Sequence, residues 1–345
     1  MTTIRETAER WTAEAIGFGR ATVIRVVGPA AFEVGSALLA ADDGRIAGSV
    51  SPGCIDGAVA EAVLAARHGN YREVVRYGVS EGRAADLEMS CGGVIDVLIE
   101  PAAPVVPDQR GRPHAVSTIL PEGREAPPRA RVTIDVDGMM SGTLGDAVLD
   151  AELAATARVA MQESGSRVIA VGPLAVLLEV DAPVRLVIVG AGEISVHLAR
   201  LAHDIGYHVA VVDARSAFAT QERFPFVEEL LVGWADELAD QAGIDTGAFV
   251  VAIAHDPKQD DPAILAALAR RARYVGVLGS RRTHTTRLAR LEAEGATAAD
   301  LARIHAPIGL NLGARSASEL AVAILAEVVM ERRTAAPRPA LISVR

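Results

Sequence analysis

Apolar and polar positions shift between helical and strand spacing along the chain, and these shifts outline its elements. Residues 3–14 predict a polar first helix, and the β-branched run ATVIRVV at 21–27 predicts a strand. Segments 35–40 and 45–50 flank the turn ADDGR, where Asp43-Gly44 predicts a hairpin. Small and apolar residues then recur at helical spacing from Ile55 to Arg67 (Ile55, Ala58, Val59, Val63, Leu64), which puts Cys54 in the first turn or at the cap. A short strand around Val74 and Val75 follows. After it the stretch SCGGVIDVLIEP (90–101) reads as a turn through Gly92 and Gly93 into the strand Val94–Ile99.

Residues 101–130 hold seven prolines and predict a loop with one strand at 115–120. The strand RVTIDV, the Asp137-Gly138 turn, a helix over 149–163 and strands near Val168 and Val176 complete a first domain. From Arg185 the pattern becomes strand (LVIVG), glycine turn (GAGEIS), helix (VHLARLAHDIG), strand (HVAVVD), which is a βαβ unit. Further alternation follows: strands at 230–232, 248–254 and 274–279, a helix from Pro262, another through Leu291, and a last helix over 318–331. The fold class is therefore α/β, a mixed N-terminal domain over 1–181 and a Rossmann-like, doubly wound parallel-sheet domain over 182–335. A tail at 336–345 remains. The boundary is placed at Asp181-Ala182-Pro183.

Composition narrows the function. No apolar run reaches the roughly 20 residues that span a bilayer, and the first residues form no apolar leader, so a cytoplasmic protein is expected. A formal charge of −10 without a basic cluster argues against a nucleic-acid partner. Lys258 is the sole lysine, which excludes a GxxxxGK[ST] phosphate loop. Two cysteines make neither a disulfide framework nor a structural zinc site, and the histidines show no metal-ligand spacing. No metal site is predicted.

Two loops nevertheless place a thiol among glycines at the junction of elements. Cys54 follows Gly53 at a helix start, where the dipole and free amides favour a thiolate, and Cys91 precedes Gly92 and Gly93. Inert, buried cysteines are the plain alternative. In the second domain, Gly190 and Gly192 of GAGEIS suit a pyrophosphate at a helix N-terminus, and Asp213, 21 residues beyond Gly192, suits ribose hydroxyls. Ser280 and Arg281 of GSRR stand at the carboxyl edge of the same sheet. His255-Asp256 reads either as an acid/base pair or as a helix cap. NAD(P) or another nucleotide is the ligand such a crevice suggests, and an NAD(P)-dependent oxidoreductase is the alternative function.

The segments GSVSPGCIDGAV, CGGVIDVLIEP, LVIVGAGEIS, YVGVLGSRR and HAPIGLNLGARSASELAVAILAEVV, in this order, resemble the XdhC/CoxI family of xanthine dehydrogenase accessory proteins, over nearly the whole chain. The resemblance implies a maturation factor more than a catalyst. It implies binding of molybdenum cofactor (molybdopterin), sulfuration of that cofactor with a cysteine desulfurase partner, and delivery to a xanthine dehydrogenase-type molybdenum hydroxylase. It carries over to Gly53 and Cys54, to Cys91, Gly92 and Gly93, and to Gly190 and Gly192, with the two cysteines as the reactive groups. Family members often show SGGC followed by Glu where this chain has Ser51-Pro52-Gly53-Cys54 and Asp56, and a histidine where it has Glu193. A homodimer is an ordinary assembly for such a fold.

Overall fold

Three sheets organise the chain in the computed structural model, which describes residues 4–28, 32–78, 93–102, 113–126, 131–163 and 165–334. Cys91 and Gly92 lie outside the described residues. Two compact units share the sheets, one ending at Ala182 and the other beginning at Pro183.

The first unit opens with helix α1 (Ile4–Ala13) and strands β1 (Phe18–Val27), β2 (Ala37–Ala41) and β3 (Ile46–Gly48). Helix α2 (Asp56–Gly69) then leads to β4 (Glu73–Tyr77) and β5 (Val94–Glu100). The five strands pair antiparallel in the order β3-β2-β1-β5-β4. Alternation along β1 sends Ala21 and Val23 into a core with Val59 and Val63 of α2, and Ile24 to the opposite face.

A second antiparallel sheet is built from β6 (His114–Ile119), β7 (Val132–Asp135), β8 (Met140–Ser141), β9 (Arg167–Val171) and β10 (Leu174–Asp181). Its order is β8-β7-β6-β10-β9. Helix α3 (Ala147–Gln162) covers one face through Leu153, Ala157 and Ala160, and Asp146 caps it by accepting from Val148 N and Leu149 N. The first two sheets meet through Ile24, Leu98, Leu120 and Leu177. Beside this small apolar cluster Arg20 pairs with Glu179 and Arg131 with Glu100, while Arg131 Nη1 lies 3.6 Å from Glu179.

The second unit holds parallel strands β11 (Arg185–Val189), β12 (His208–Asp213), β13 (Glu229–Val232), β14 (Phe249–Ala252), β15 (Tyr274–Val277) and β16 (Ile304–His305). Their order is β13-β12-β11-β14-β15-β16, so the first strand is central and the order reverses between β11 and β14, as in a dinucleotide-binding fold. Helices α4 (Glu193–Asp204) and α8 (Ala317–Thr334) pack on one face. On the other lie α5 (Pro257–Ala269) and α6 (Arg281–Ala293), and the short α7 (Ala298–Leu301) follows α6. The central strands are buried on both faces, which explains their unbroken apolar runs.

Elements differ from expectation in two places: α7 and β16 follow α6 where none was predicted, and α5 starts early. Helix α5 begins at Pro257, five residues before the predicted start, and Pro262 lies within it. Asp256 caps it by accepting from Lys258 N at 3.0 Å, and Pro257 occupies the first position, where a missing N–H loses nothing. Burial of Ala263, Ile264 and Ala267 offsets the one helical bond that Pro262 removes.

Candidate functional site

The thiol loop is shaped by one carboxylate. Asp56, first residue of α2, accepts from Ser49 Oγ (2.6 Å), Val50 N (3.2 Å), Ser51 N (3.1 Å) and Ser51 Oγ (2.9 Å). Ser51 Oγ in turn accepts from Gly53 N and Ile55 N. The chain is thereby curled so that Gly53 takes φ +103°, a conformation that favours glycine, and Cys54 is an exposed free thiol. Ile55 offers no side-chain cap, so the first amides of α2 have no partner from the cap residue. A side-chain carbon at Gly53 or Gly57 would meet nothing within 4 Å. Gly53, Cys54 and Gly57 are all exposed, next to a helix start that no side chain caps.

Gly93 is described, and its carbonyl packs so closely on Gly78 that a Cβ there would fall 2.4 Å from it. The other half of the expected thiol pair, Cys91 with Gly92, falls outside the described residues. A cavity of about 200 Å³ in the first unit lies apart from the thiol loop, lined by Arg5, Arg20, His114, Glu179 and Asp181 among others.

At the carboxyl edge of the parallel sheet, Gly190 takes φ +101° and lies so near the next strand's end that a Cβ would stand 2.4 Å from Ala254 Cα. Gly192 is the N-cap of α4 and supplies no side chain, which leaves that helix start open. Ser195, in place of a third glycine, is buried and donates back to the Gly190 carbonyl.

Asp213 is fully buried and takes four donors: Ala191 N (2.6 Å), Arg215 N (2.8 Å), Arg215 Nε (2.9 Å) and Arg215 Nη2 (2.7 Å). Burial pushes its carboxyl up, yet these donors hold it below the ordinary value. An ionised carboxylate has about four lone-pair positions, and here all are taken within the unit. Arg215 also lies over Phe218, at 4.3 Å from the ring centroid.

Asp256 acts as the α5 cap, while His255 beside it is exposed with φ +61°. Ser280 caps α6 by accepting from Thr283 N at 3.1 Å, and Arg281 and Arg282 are exposed. Beneath them lies a group that periodicity could not nominate. Asp260 on α5 accepts from Ala254 N at 3.1 Å, and Arg287 on α6 donates to the Leu278 carbonyl at 3.1 Å. Burial raises the Asp260 carboxyl to about 6 against the opposing pull of Arg287, and burial also lowers Arg287. The signal available in sequence was the acid three residues after Pro257, in the first turn of a capped helix. Among the described residues no cluster of three metal-ligating side chains occurs, and no helix is long and apolar enough to cross a membrane.

Two family models match the chain: the XdhC and CoxI family over residues 11–78, and the XdhC Rossmann domain over residues 186–328. The molybdenum cofactor insertion chaperone PaoD of Escherichia coli is 28% identical across 96% of this chain and 90% of its own length. The Escherichia coli protein YqeB is 28% identical over 66% of this chain, which spans 45% of that longer protein. In three dimensions the chain is similar to the crystal structure of a xanthine dehydrogenase from Bacillus halodurans, with a TM-score of 0.72, 22% identity and 96% of each chain covered.

Proposed function

Since the chain belongs to the XdhC and CoxI family, we propose that it is an accessory protein that binds molybdenum cofactor and passes it to a xanthine dehydrogenase-type molybdenum hydroxylase. The observation that carries this reading is the exposed Cys54 beside the uncapped first turn of α2. A molybdenum cofactor presents a soft metal–dithiolene centre and a phosphate. The sulfur of Cys54 suits the first, and open amides at a helix start suit the second. Gly53 and Gly57 keep the approach clear of side chains. The likeness to an insertion chaperone across nearly the whole chain supports the same reading.

Within it, Cys91 supplies the second thiol next to Gly92 and Gly93 in the sequence, and a cysteine desulfurase partner supplies sulfur while the cofactor is held. The Rossmann-like unit, through Gly190 and Gly192, offers an open helix start for a phosphate-bearing part of the ligand. The alternative, an NAD(P)-dependent oxidoreductase, would ask Asp213 to accept from ribose hydroxyls, and all its acceptor positions are occupied by Ala191 and Arg215.

The deciding experiment is anaerobic purification from a molybdenum-replete host, with molybdenum quantified and oxidised pterin read by fluorescence. Near-stoichiometric pterin in the native chain and its loss in Cys54→Ala and Cys91→Ala are expected. A native chain free of pterin would overturn the reading.

A further inference from the structure

Helix α6 starts against its own electrostatics. Arg281 and Arg282 are its first two residues, where the helix dipole is positive and cations are unfavourable. Each of the other helices, α1 to α5, α7 and α8, carries an acid in its first turn; α6 carries none. Among the described residues no carboxylate pairs with Arg281 or Arg282, and both side chains are exposed.

A third cation lies beneath. Arg287 is only 3% exposed, and its Nη2 holds the Leu278 carbonyl that leads into the turn. Its Nη1 stands 3.6 Å from where a Gly279 side chain would begin, so the guanidinium faces the loop from below. Nε and Nη1 have no hydrogen-bond partner, and the acids nearest Arg287, Asp260 and Asp261, stand at 3.7 Å. A buried cation with unfilled donors is costly in a low-dielectric interior, and negative charge on the loop above would relieve it. Asp261 is itself shared with Arg290, so the cations of the first three turns outnumber the acids that face them.

We propose that Gly279–Arg282 and the first turn of α6 form an anion site for a phosphate or pyrophosphate group of a ligand. The amides of Arg281 and Arg282 would point at the anion while both guanidinium groups close on it from the rim. Gly279, at φ +149° and with no side chain, lets the group approach the backbone. Ser280 keeps the helix start in shape by holding Thr283 N and does not fill the site. This site goes beyond the thiol-loop reading and does not depend on it.

The test uses the full chain and isothermal titration calorimetry at low ionic strength, with inorganic pyrophosphate as the probe. The double variant Arg281→Gln/Arg282→Gln should weaken binding at least about tenfold, the scale of one charge-assisted contact. Arg124→Gln, which removes an exposed cation of the first unit instead, should leave binding unchanged. Absence of saturable binding to the native chain, or an affinity that is the same in the native chain and the Arg281→Gln/Arg282→Gln variant, would overturn the site. An ADP arm separates sources. Tighter binding of ADP than of pyrophosphate assigns the site to a nucleotide, equal affinity to a bare phosphate group, and either supports it. Pterin content read on the same variants keeps failure here distinct from failure of the cofactor reading.

Discussion

Inside the second unit the Asp260 carboxylate, fully buried, stands 3.7 Å from the Arg287 guanidinium. The two residues serve different loops of one sheet edge, because Asp260 holds the amide of Ala254 after β14 and Arg287 holds the carbonyl of Leu278 after β15. Asp260 Oδ2 has no hydrogen-bond partner, so burial outweighs the nearby charge and the carboxyl is raised to about 6.

A pH dependence of stability follows. The folded value near 6 exceeds the unfolded value near 4, so between them the folded state binds more protons. The contribution of Asp260 is fully present below about pH 4 and is lost as pH rises toward about 6, by at most about 3 kcal/mol. Asp260→Asn should lack this slope, and Arg287→Met should move it to higher pH by removing the charge that opposes the shift. Urea denaturation between pH 4 and 7 checks both, and parallel curves for native chain and Asp260→Asn would refute the assignment.

Gly190 and Gly53 both require a positive φ but differ in what surrounds them. A Cβ at Gly190 would collide with the Ala254 backbone at 2.4 and 2.5 Å, whereas one at Gly53 meets nothing within 4 Å. Gly190→Ala should therefore destabilise by about 3 kcal/mol, backbone strain plus overpacking. Gly53→Ala should cost only the strain, about 1 kcal/mol. Equal losses in denaturant midpoint would show that contact with Ala254 is not the difference.

The sequence exposed what depends on neighbours in the chain. The glycine turn at Gly190 is legible because a strand, a tight turn and a helix start lie within ten residues, and the parallel order of the sheet follows from the same βαβ alternation. That a helix starts next to Cys54 is legible for the same reason, but the cap is Ile55, so the thiol stands one residue before the cap and not in the first turn. What stayed hidden depends on partners far along the chain or on competition for them. The occupancy of Asp213 by Arg215 and Ala191 is one such feature, since spacing marks the acid and cannot say that its lone pairs are filled. Asp260 is another, because Pro262 reads as a helix start and hides the turn before it. The division of the N-terminal strands into two sheets is a third. It rests on pairings such as Arg20 with Glu100 in β1 and β5, which no local pattern fixes.

Cys54 is exposed and makes no core contact, so Cys54→Ala should leave the denaturation midpoint within about 0.5 kcal/mol of the native chain. The same variant should lose a rapid phase of alkylation by iodoacetamide under native conditions. A rapid phase that persists in Cys54→Ala would assign the accessible thiol to Cys91.

The charged layer between the two sheets of the first unit gives the last expectation. Arg20 and Glu179 are each 14% exposed and line the cavity of the first unit, and Arg131 bridges Glu100 and Glu179, so the four charges neutralise one another within a partly buried interface. Removing one member strands its partner. Glu179→Ala should destabilise by about 3 kcal/mol, much of it the penalty of leaving Arg20 partly buried and without its carboxylate. Arg20→Met with Glu179→Leu should recover most of that loss, because apolar residues of similar volume remove the desolvation cost along with the attraction. A double-mutant cycle by urea denaturation reads the coupling directly. If Glu179→Ala and the double variant are equally destabilised, the network acts through shape and packing, and the charge pairing between the sheets contributes nothing of its own.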